Sequence, residues 1–146
     1  MSDDIKKLRE ATGAGVMECK KAFEDAGGNF EKAVKLIGER GLAKAETKAN
    51  RNAGAGLLKT YVHNNRVGVL LEVHAETDFV LRSEPFQELA QDLVMHIAAM
   101  NPESVDALLT QPFVKNESVT IADLIKGTTA KVGEHIKVER FCRYEV

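Results

Sequence analysis

The sequence predicts an α+β protein in two parts: a bundle of three short helices, then an antiparallel sheet with helices packed on one side. Three observations point there. The first 42 residues carry apolar side chains at helical spacing, punctuated by glycines; two alternating runs flank Asn64-Asn65; and a long apolar stripe of helical period follows them. No internal repeat or low-complexity tract breaks this order.

In the first part, Ile5 and Leu8 share one face of a helix that stops at Thr12-Gly13-Ala14-Gly15. Val16, Cys19, Phe23 and Ala26 follow at helical spacing and end at Gly27-Gly28. Asn29 is placed to cap a third helix with the stripe Phe30, Ala33, Val34 and Ile37, and Gly41 stands where a left-handed C-terminal residue belongs. Residues 1–42 thus make a minimal bundle, near the lower size limit for folding alone. It has little interior for a catalytic cleft and is better suited to present a surface. Residues 43–54, with Lys44, Lys48 and Arg51 against Glu46, read as a linker of partly helical tendency.

Residues 55–146 change period. Leu57 to His63 reads as a strand, Asn64-Asn65 as a turn, and Arg66 to Ala75 as a second strand with Val67, Val69, Leu71 and Val73 on one face. After Thr77-Asp78-Phe79-Val80 the period turns helical, with Phe86, Leu89, Ala90, Leu93, Val94, Ile97 and Ala98 in one stripe. Asn101-Pro102-Glu103 reads as the start of a short helix, with Asn101 as its cap. Thr120 is placed to cap another, carrying Ile121, Leu124 and Ile125, weakened by Gly127 and closed by Gly133. A final strand runs from His135 to Val146, with Ile136, Val138, Cys142, Tyr144 and Val146 expected on one face and Arg140 interrupting it.

Composition narrows function by exclusion. Hydrophobic residues at 44% and charged ones at 29% fit a globular chain rather than a disordered or fibrous one. No apolar run approaches the roughly 18 residues of a membrane helix. The opening MSDDIKKLRE has no signal or transit features, so a cytoplasmic protein without membrane contact is expected. A net charge of -2 speaks against direct nucleic-acid binding. Cys19 and Cys142 are too far apart for a short-spaced zinc or redox motif. No phosphate loop, dinucleotide fingerprint, zinc-protease motif or nucleophile elbow is present, so no cofactor and no catalytic residues are expected. The histidines His63, His74, His96 and His135 lack ligand spacing and are expected to be solvated or structural. The chain is not expected to be an enzyme.

One local feature has two readings. Thr77-Asp78-Phe79-Val80 falls where a strand gives way to a helix. A carboxylate beside a large apolar side chain there could anchor a partner. Alternatively, Asp78 caps a turn and Phe79 folds inward, which residue statistics favour.

Taken in order, LREATGAGVMECKKA from Leu8 to Ala22, Tyr61-Val62-His63 followed by Gly68-Val69-Leu70, Thr77-Asp78-Phe79-Val80, Gln111-Pro112-Phe113-Val114 and Val132-Gly133-Glu134 resemble segments of the elongation factor Ts family over nearly the whole chain. The resemblance implies guanine nucleotide exchange on elongation factor Tu, bound in its GDP and nucleotide-free states, during bacterial-type translation elongation. It implies that residues 1–42 are the family's ubiquitin-associated-like domain, docking on a G-domain helix through Leu8, Val16, Met17 and Lys20. Residues 55–146 would be the family's dimerisation core. Thr77, Asp78, Phe79 and Val80 would form the loop that wedges between G-domain helices beside the bound magnesium. Phe79 would enter an apolar pocket and Asp78 would meet polar groups beside it. His63 matches a hairpin histidine that faces the partner's third domain. Long members carry two related core subdomains, whereas this chain has one, like short members that pair two copies. A homodimer binding two partner molecules in a 2:2 complex is therefore implied; the alternating face of Ile136, Val138, Cys142, Tyr144 and Val146 is expected to supply part of the contact, with Cys142 and Tyr144 at the interface. Two other classes stand beside this reading: a protein or nascent-chain adaptor built on the bundle, and an RNA-binding module using Lys44, Lys48 and Arg51, which salt would weaken steeply.

Overall fold

The computed structural model describes residues 2–146 and begins with three helices, α1 (Asp3–Thr12), α2 (Val16–Asp25) and α3 (Phe30–Thr47). Each boundary has a local cause. The Ser2 side chain accepts the N–H of Ile5, the Asn29 side chain accepts that of Lys32, and Gly13, Gly27 and Gly28 take the positive φ that lets the chain reverse between helices. Ile5, Leu8, Cys19, Ala22 and Ala33 close around one another as the bundle's own core.

Gly41 does not end α3 as the sequence suggests. The helix runs on through Thr47, into the stretch expected to be linker. Gly41 instead lies against α7 (Ile121–Val132), where a Cβ added to it would come within 3.1 Å of the Ala130 Cβ. Its lack of a side chain lets two helices approach closely, which is the other reason a sequence keeps a glycine. Lys126 reaches Glu46 at 3.5 Å, and Lys48 donates to the Gly133 carbonyl at 3.0 Å, so the bundle and the second part are joined side by side along α3 and α7. Gly41→Val is expected to cost about 1–3 kcal/mol in denaturant unfolding, the usual penalty for overpacking. Gly38→Val, at a position where an added Cβ meets nothing within 4 Å, serves as the control.

The sheet consists of β1 (Ala55–His63), β2 (Val67–Ala75) and β5 (Lys137–Glu145), all antiparallel in the order β1-β2-β5. Asn64 and Asn65 both take left-handed φ, 51° and 58°, as the two-residue hairpin turn requires. Val69, Leu71 and Val73 point inward, joined by Leu57 and Tyr61 from β1, onto the apolar stripe of α5 (Glu84–Met100). Between these lie α4 (Asp78–Leu81), α6 (Val105–Thr110) and a small hairpin, β3 (Pro112–Phe113) with β4 (Asn116–Thr120). Thr120 and Asp123 form a reciprocal capping box at the start of α7, and Gly133 closes it at φ 77°. No helix among the described residues is long and apolar enough to cross a membrane.

Two boundaries differ from the sequence reading. Asn101 does not cap the short helix; it ends α5 in the left-handed conformation, and Ser104 caps α6 by accepting the Ala107 N–H. Strand β5 also does not keep one face from end to end. Val73 pairs with Val138 and Glu72 with Arg140, leaving Glu139 as an extra residue in a bulge. The parity inverts there: Ile136 and Val138 are buried, whereas Cys142, Tyr144 and Val146 are exposed.

Candidate functional site

Strand β2 runs out at Ala75, which is buried, and the chain turns at Thr77. Thr77 is the N-cap of α4: its hydroxyl accepts the Val80 N–H at 3.4 Å, and its carbonyl accepts the Leu81 N–H at 3.4 Å. Val80 and Leu81 point into the core at 5% exposure each, which fixes how the turn faces. One turn of helix then forces Asp78 and Phe79 to the other side. Phe79 is 78% exposed and Asp78 is exposed with it. The commoner expectation for such a pair fails here, because Thr77 does the capping and Phe79 faces solvent.

The other residues singled out by sequence are dispersed. Val16, Met17 and Lys20 are exposed at the start of α2, with Met17 at 72%. Leu8 is fully buried between Ile5, Cys19 and Ala22. It can support a contact surface but cannot itself be one. His63 is exposed at the hairpin end of β1, bonded through Nδ1 to Tyr61 Oη at 2.7 Å and through Nε2 to Asn64 Nδ2 at 3.2 Å. Because an amide nitrogen only donates, Nε2 accepts and Nδ1–H donates to the tyrosine. The hairpin and the Thr77 turn lie at opposite ends of β2, roughly 30 Å apart at about 3.3 Å per residue. No small ligand could touch both.

The outer face of the sheet carries cross-strand rows Leu58–Glu72–Arg140, Thr60–Leu70–Cys142 and Val62–Gly68–Tyr144. Leu58, Val62, Leu70 and Tyr144 are exposed at 63, 62, 41 and 77%, so Cys142 and Tyr144 sit in an apolar patch rather than on the core side. Beside it the Glu72 carboxylate accepts from His74 Nε2 at 2.6 Å and Arg140 Nε at 2.8 Å, while His74 Nδ1 meets the Ala53 carbonyl at 2.9 Å. Acceptors at both ring nitrogens favour the protonated form of His74. Its hydrogen bond to Glu72 raises its pKa above the ordinary 6.5, and the same bond, followed by that to Arg140, lowers the carboxyl pKa of Glu72.

His96 is the opposite case. Fully buried on α5, it accepts the Val114 N–H at Nδ1 (3.2 Å) and donates from Nε2 to Gln111 Oε1 (2.9 Å), a neutral tautomer pinning the β3–β4 hairpin. Burial lowers its pKa below 6.5. The unfolded chain therefore takes up a proton near pH 6.5 that folded His96 refuses. Its contribution to stability is complete above that pH and is lost as pH falls toward the folded pKa. For His74 the contribution is complete below 6.5 and is lost as pH rises through its raised folded value. In an NMR titration His74 should have its midpoint above the ordinary 6.5 and His96 below it. Denaturant midpoints measured from pH 7 to 5.5 should fall less steeply in His96→Gln than in the wild type; equal slopes would contradict this assignment.

Comparison with known proteins covers the chain almost completely. The family model described as Elongation factor TS matches residues 2–107 and again 76–146. Elongation factor Ts of Alkaliphilus metalliredigens is 38% identical across 97% of this chain and 87% of its own length, and that of Thermodesulfovibrio yellowstonii is 39% identical across 97% and 94%. A chloroplastic polyprotein of EF-Ts from Oryza sativa subsp. japonica is 38% identical across 97% of this chain and 17% of the polyprotein. The first of these alignments runs over 187 positions, more than the 146 residues here, so that relative carries residues inside the matched span that this chain lacks. The α+β architecture, the ordered motifs and these matches have one reading: this chain belongs to the elongation factor Ts family.

Proposed function

We propose that this chain is a guanine nucleotide exchange factor for elongation factor Tu in translation elongation, acting through the Asp78–Phe79 turn. The observation that carries the proposal is Phe79 itself. A phenylalanine at 78% exposure forgoes about 1.5–3 kcal/mol of burial that its neighbours Val80 and Leu81 take. Leaving it outside on a turn anchored by those neighbours is costly unless a partner supplies the pocket. In this reading Phe79 enters an apolar cleft between G-domain helices, Asp78 engages polar groups at its rim, and the displaced helices loosen magnesium and phosphate contacts. The factor needs no nucleotide motif of its own. Val16, Met17 and Lys20 form a second docking point on the bundle, which serves as a ubiquitin-associated-like domain, and His63 a third at the far end of the sheet. The separation of His63 from the Phe79 turn, roughly 30 Å along β2, suits a large multidomain partner.

The test is release of a fluorescent GDP analogue from elongation factor Tu under excess unlabelled GDP. Acceleration by substoichiometric amounts of this protein supports turnover as an exchange factor. No acceleration by folded protein, with a cognate partner, would leave the adaptor reading in its place. The exposed patch of Leu58, Val62, Leu70 and Tyr144 further supports a two-fold homodimer that pairs outer sheet faces, with Cys142 and Tyr144 inside the contact and a 2:2 complex with the partner. We place its action in the cytoplasm of a bacterial-type cell, or in the equivalent organellar compartment.

A further inference from the structure

Glu134 lies half-buried at the corner between α7 and β5, far in sequence from the Phe79 turn yet bonded to it three times. The N–H groups of Glu76 and Thr77 donate to its Oε1 at 3.1 and 2.9 Å, and the Thr77 hydroxyl donates to its Oε2 at 2.8 Å. A return bond runs from the His135 N–H to Glu76 Oε2 at 2.6 Å. The corner is held in turn: Gly133 ends α7 with its N–H on the Thr129 carbonyl, and its own carbonyl accepts from Lys48 Nζ at 3.0 Å.

The chemistry of this arrangement is directional. A hydroxyl has one proton and two lone pairs, and an ionised carboxylate only accepts. Glu134 therefore accepts the Thr77 O–H, which leaves the hydroxyl oxygen to accept the Val80 N–H and hold the cap of α4. The carboxylate sets the hydroxyl rotor, the cap and the angle at which the chain leaves β2. That angle decides where Phe79 points.

We propose that Glu134 is a positioning residue for exchange: it holds the Asp78–Phe79 turn in the conformation that enters the partner, without touching the partner itself. The proposal rests on the exchange reading above. A turn ordered in advance avoids an ordering cost at binding, and small displacements of an inserting group lower rates steeply.

A double-mutant cycle in the full chain tests it, with GDP-analogue release from elongation factor Tu as the readout. Glu134→Gln keeps the shape but offers one acceptor instead of two. It is expected to slow exchange about tenfold at a nearly unchanged melting temperature. Phe79→Ala should slow exchange more, and the double variant no further than Phe79→Ala alone, since a turn without its aromatic gains nothing from being positioned. In the free protein, amide hydrogen exchange at Thr77 and Val80 should rise in Glu134→Gln while that at Leu93 in the core stays constant. If Glu134→Gln fails to fold, Thr77→Val removes the donated proton with similar bulk and enters the same cycle. Independent, multiplicative losses in the double variant overturn the positioning role, as does wild-type exchange by Glu134→Gln alongside an impaired Phe79→Ala; both leave the wedge standing. Wild-type exchange by Phe79→Ala removes the wedge and this proposal with it.

Discussion

Phe79→Ala will slow nucleotide release from elongation factor Tu by roughly 30- to 700-fold, the range that follows from about 2–4 kcal/mol for a buried aromatic anchor. The same substitution should leave the fold almost untouched. Phe79 is 78% exposed, and surface changes of that kind stay within about 0.5 kcal/mol, or about 1–2 °C in melting temperature for a chain of this size. The two halves of the expectation belong together. A loss of stability that matched the loss of exchange would put Phe79 in the packing rather than in a partner. The magnitude also sets a limit on what one side chain can do. An exchange factor must bind nucleotide-free partner more tightly than GDP-bound partner, and by reciprocity GDP weakens its binding by the same factor. A single anchor covers only part of a large differential. The contacts proposed for Val16, Met17, Lys20 and His63 must hold the partner while Phe79 acts.

Leu70→Lys is expected to abolish the proposed homodimer at micromolar concentration, read as a halved mass in light scattering. Leu70 lies in the centre of the outer face on the middle strand, between Thr60 and Cys142. A two-fold contact contains every substituted residue twice, so each dimer would bury two new cations. Breaking the match at a buried site costs several kcal/mol per uncompensated charge, far beyond what the surrounding Leu58, Val62 and Tyr144 recover. The monomer tolerates the change, because Leu70 is 41% exposed and Glu72, two residues along on the same face, offers an opposite charge. A wild-type protein that already runs as a monomer, or a Leu70→Lys variant that stays dimeric, would move the contact elsewhere.

Much of the fold was legible because its period is strong. The stripe of α5 and the alternation of β2 survive as written, those of α2 and α3 survive except at Val16 and Phe30, which are exposed, and Asn64-Asn65 makes the expected turn. The failures share a cause: a residue whose local signal has two physical meanings. Gly41 could end a helix or admit a neighbour, and only the Ala130 Cβ at 3.1 Å decides. Asn101 could start a helix or stop one, and its φ of 46° decides. On β5 the single extra residue Glu139 shifts every later side chain to the opposite face, which an alternating pattern with one charged interruption does not disclose. The site was partly legible. Thr77-Asp78-Phe79-Val80 stood out, yet residue statistics alone turned Phe79 inward, and the resemblance to a known family was needed to turn it out. Leu8 was placed on the surface by motif and proves to be core. Glu134 was missed as a support for the turn, because its partners lie 57 and 58 residues away and no local pattern marks such a contact.

The bulge at Glu139 has a consequence for how copies of this protein meet in a crowded cell. Strand β5 is an edge of the sheet, and a regular edge is a template on which further strands can add without limit. Pairing through a face closes after two copies; pairing through an edge can continue into fibres. The extra residue breaks the hydrogen-bonding rhythm of that edge near its start, and Lys137 and Glu139 place charges beside the break. The irregularity that sends Cys142 and Tyr144 outward thus also makes β5 a poor template for an added strand, leaving β1, whose pairing runs without a bulge, as the regular edge of the sheet.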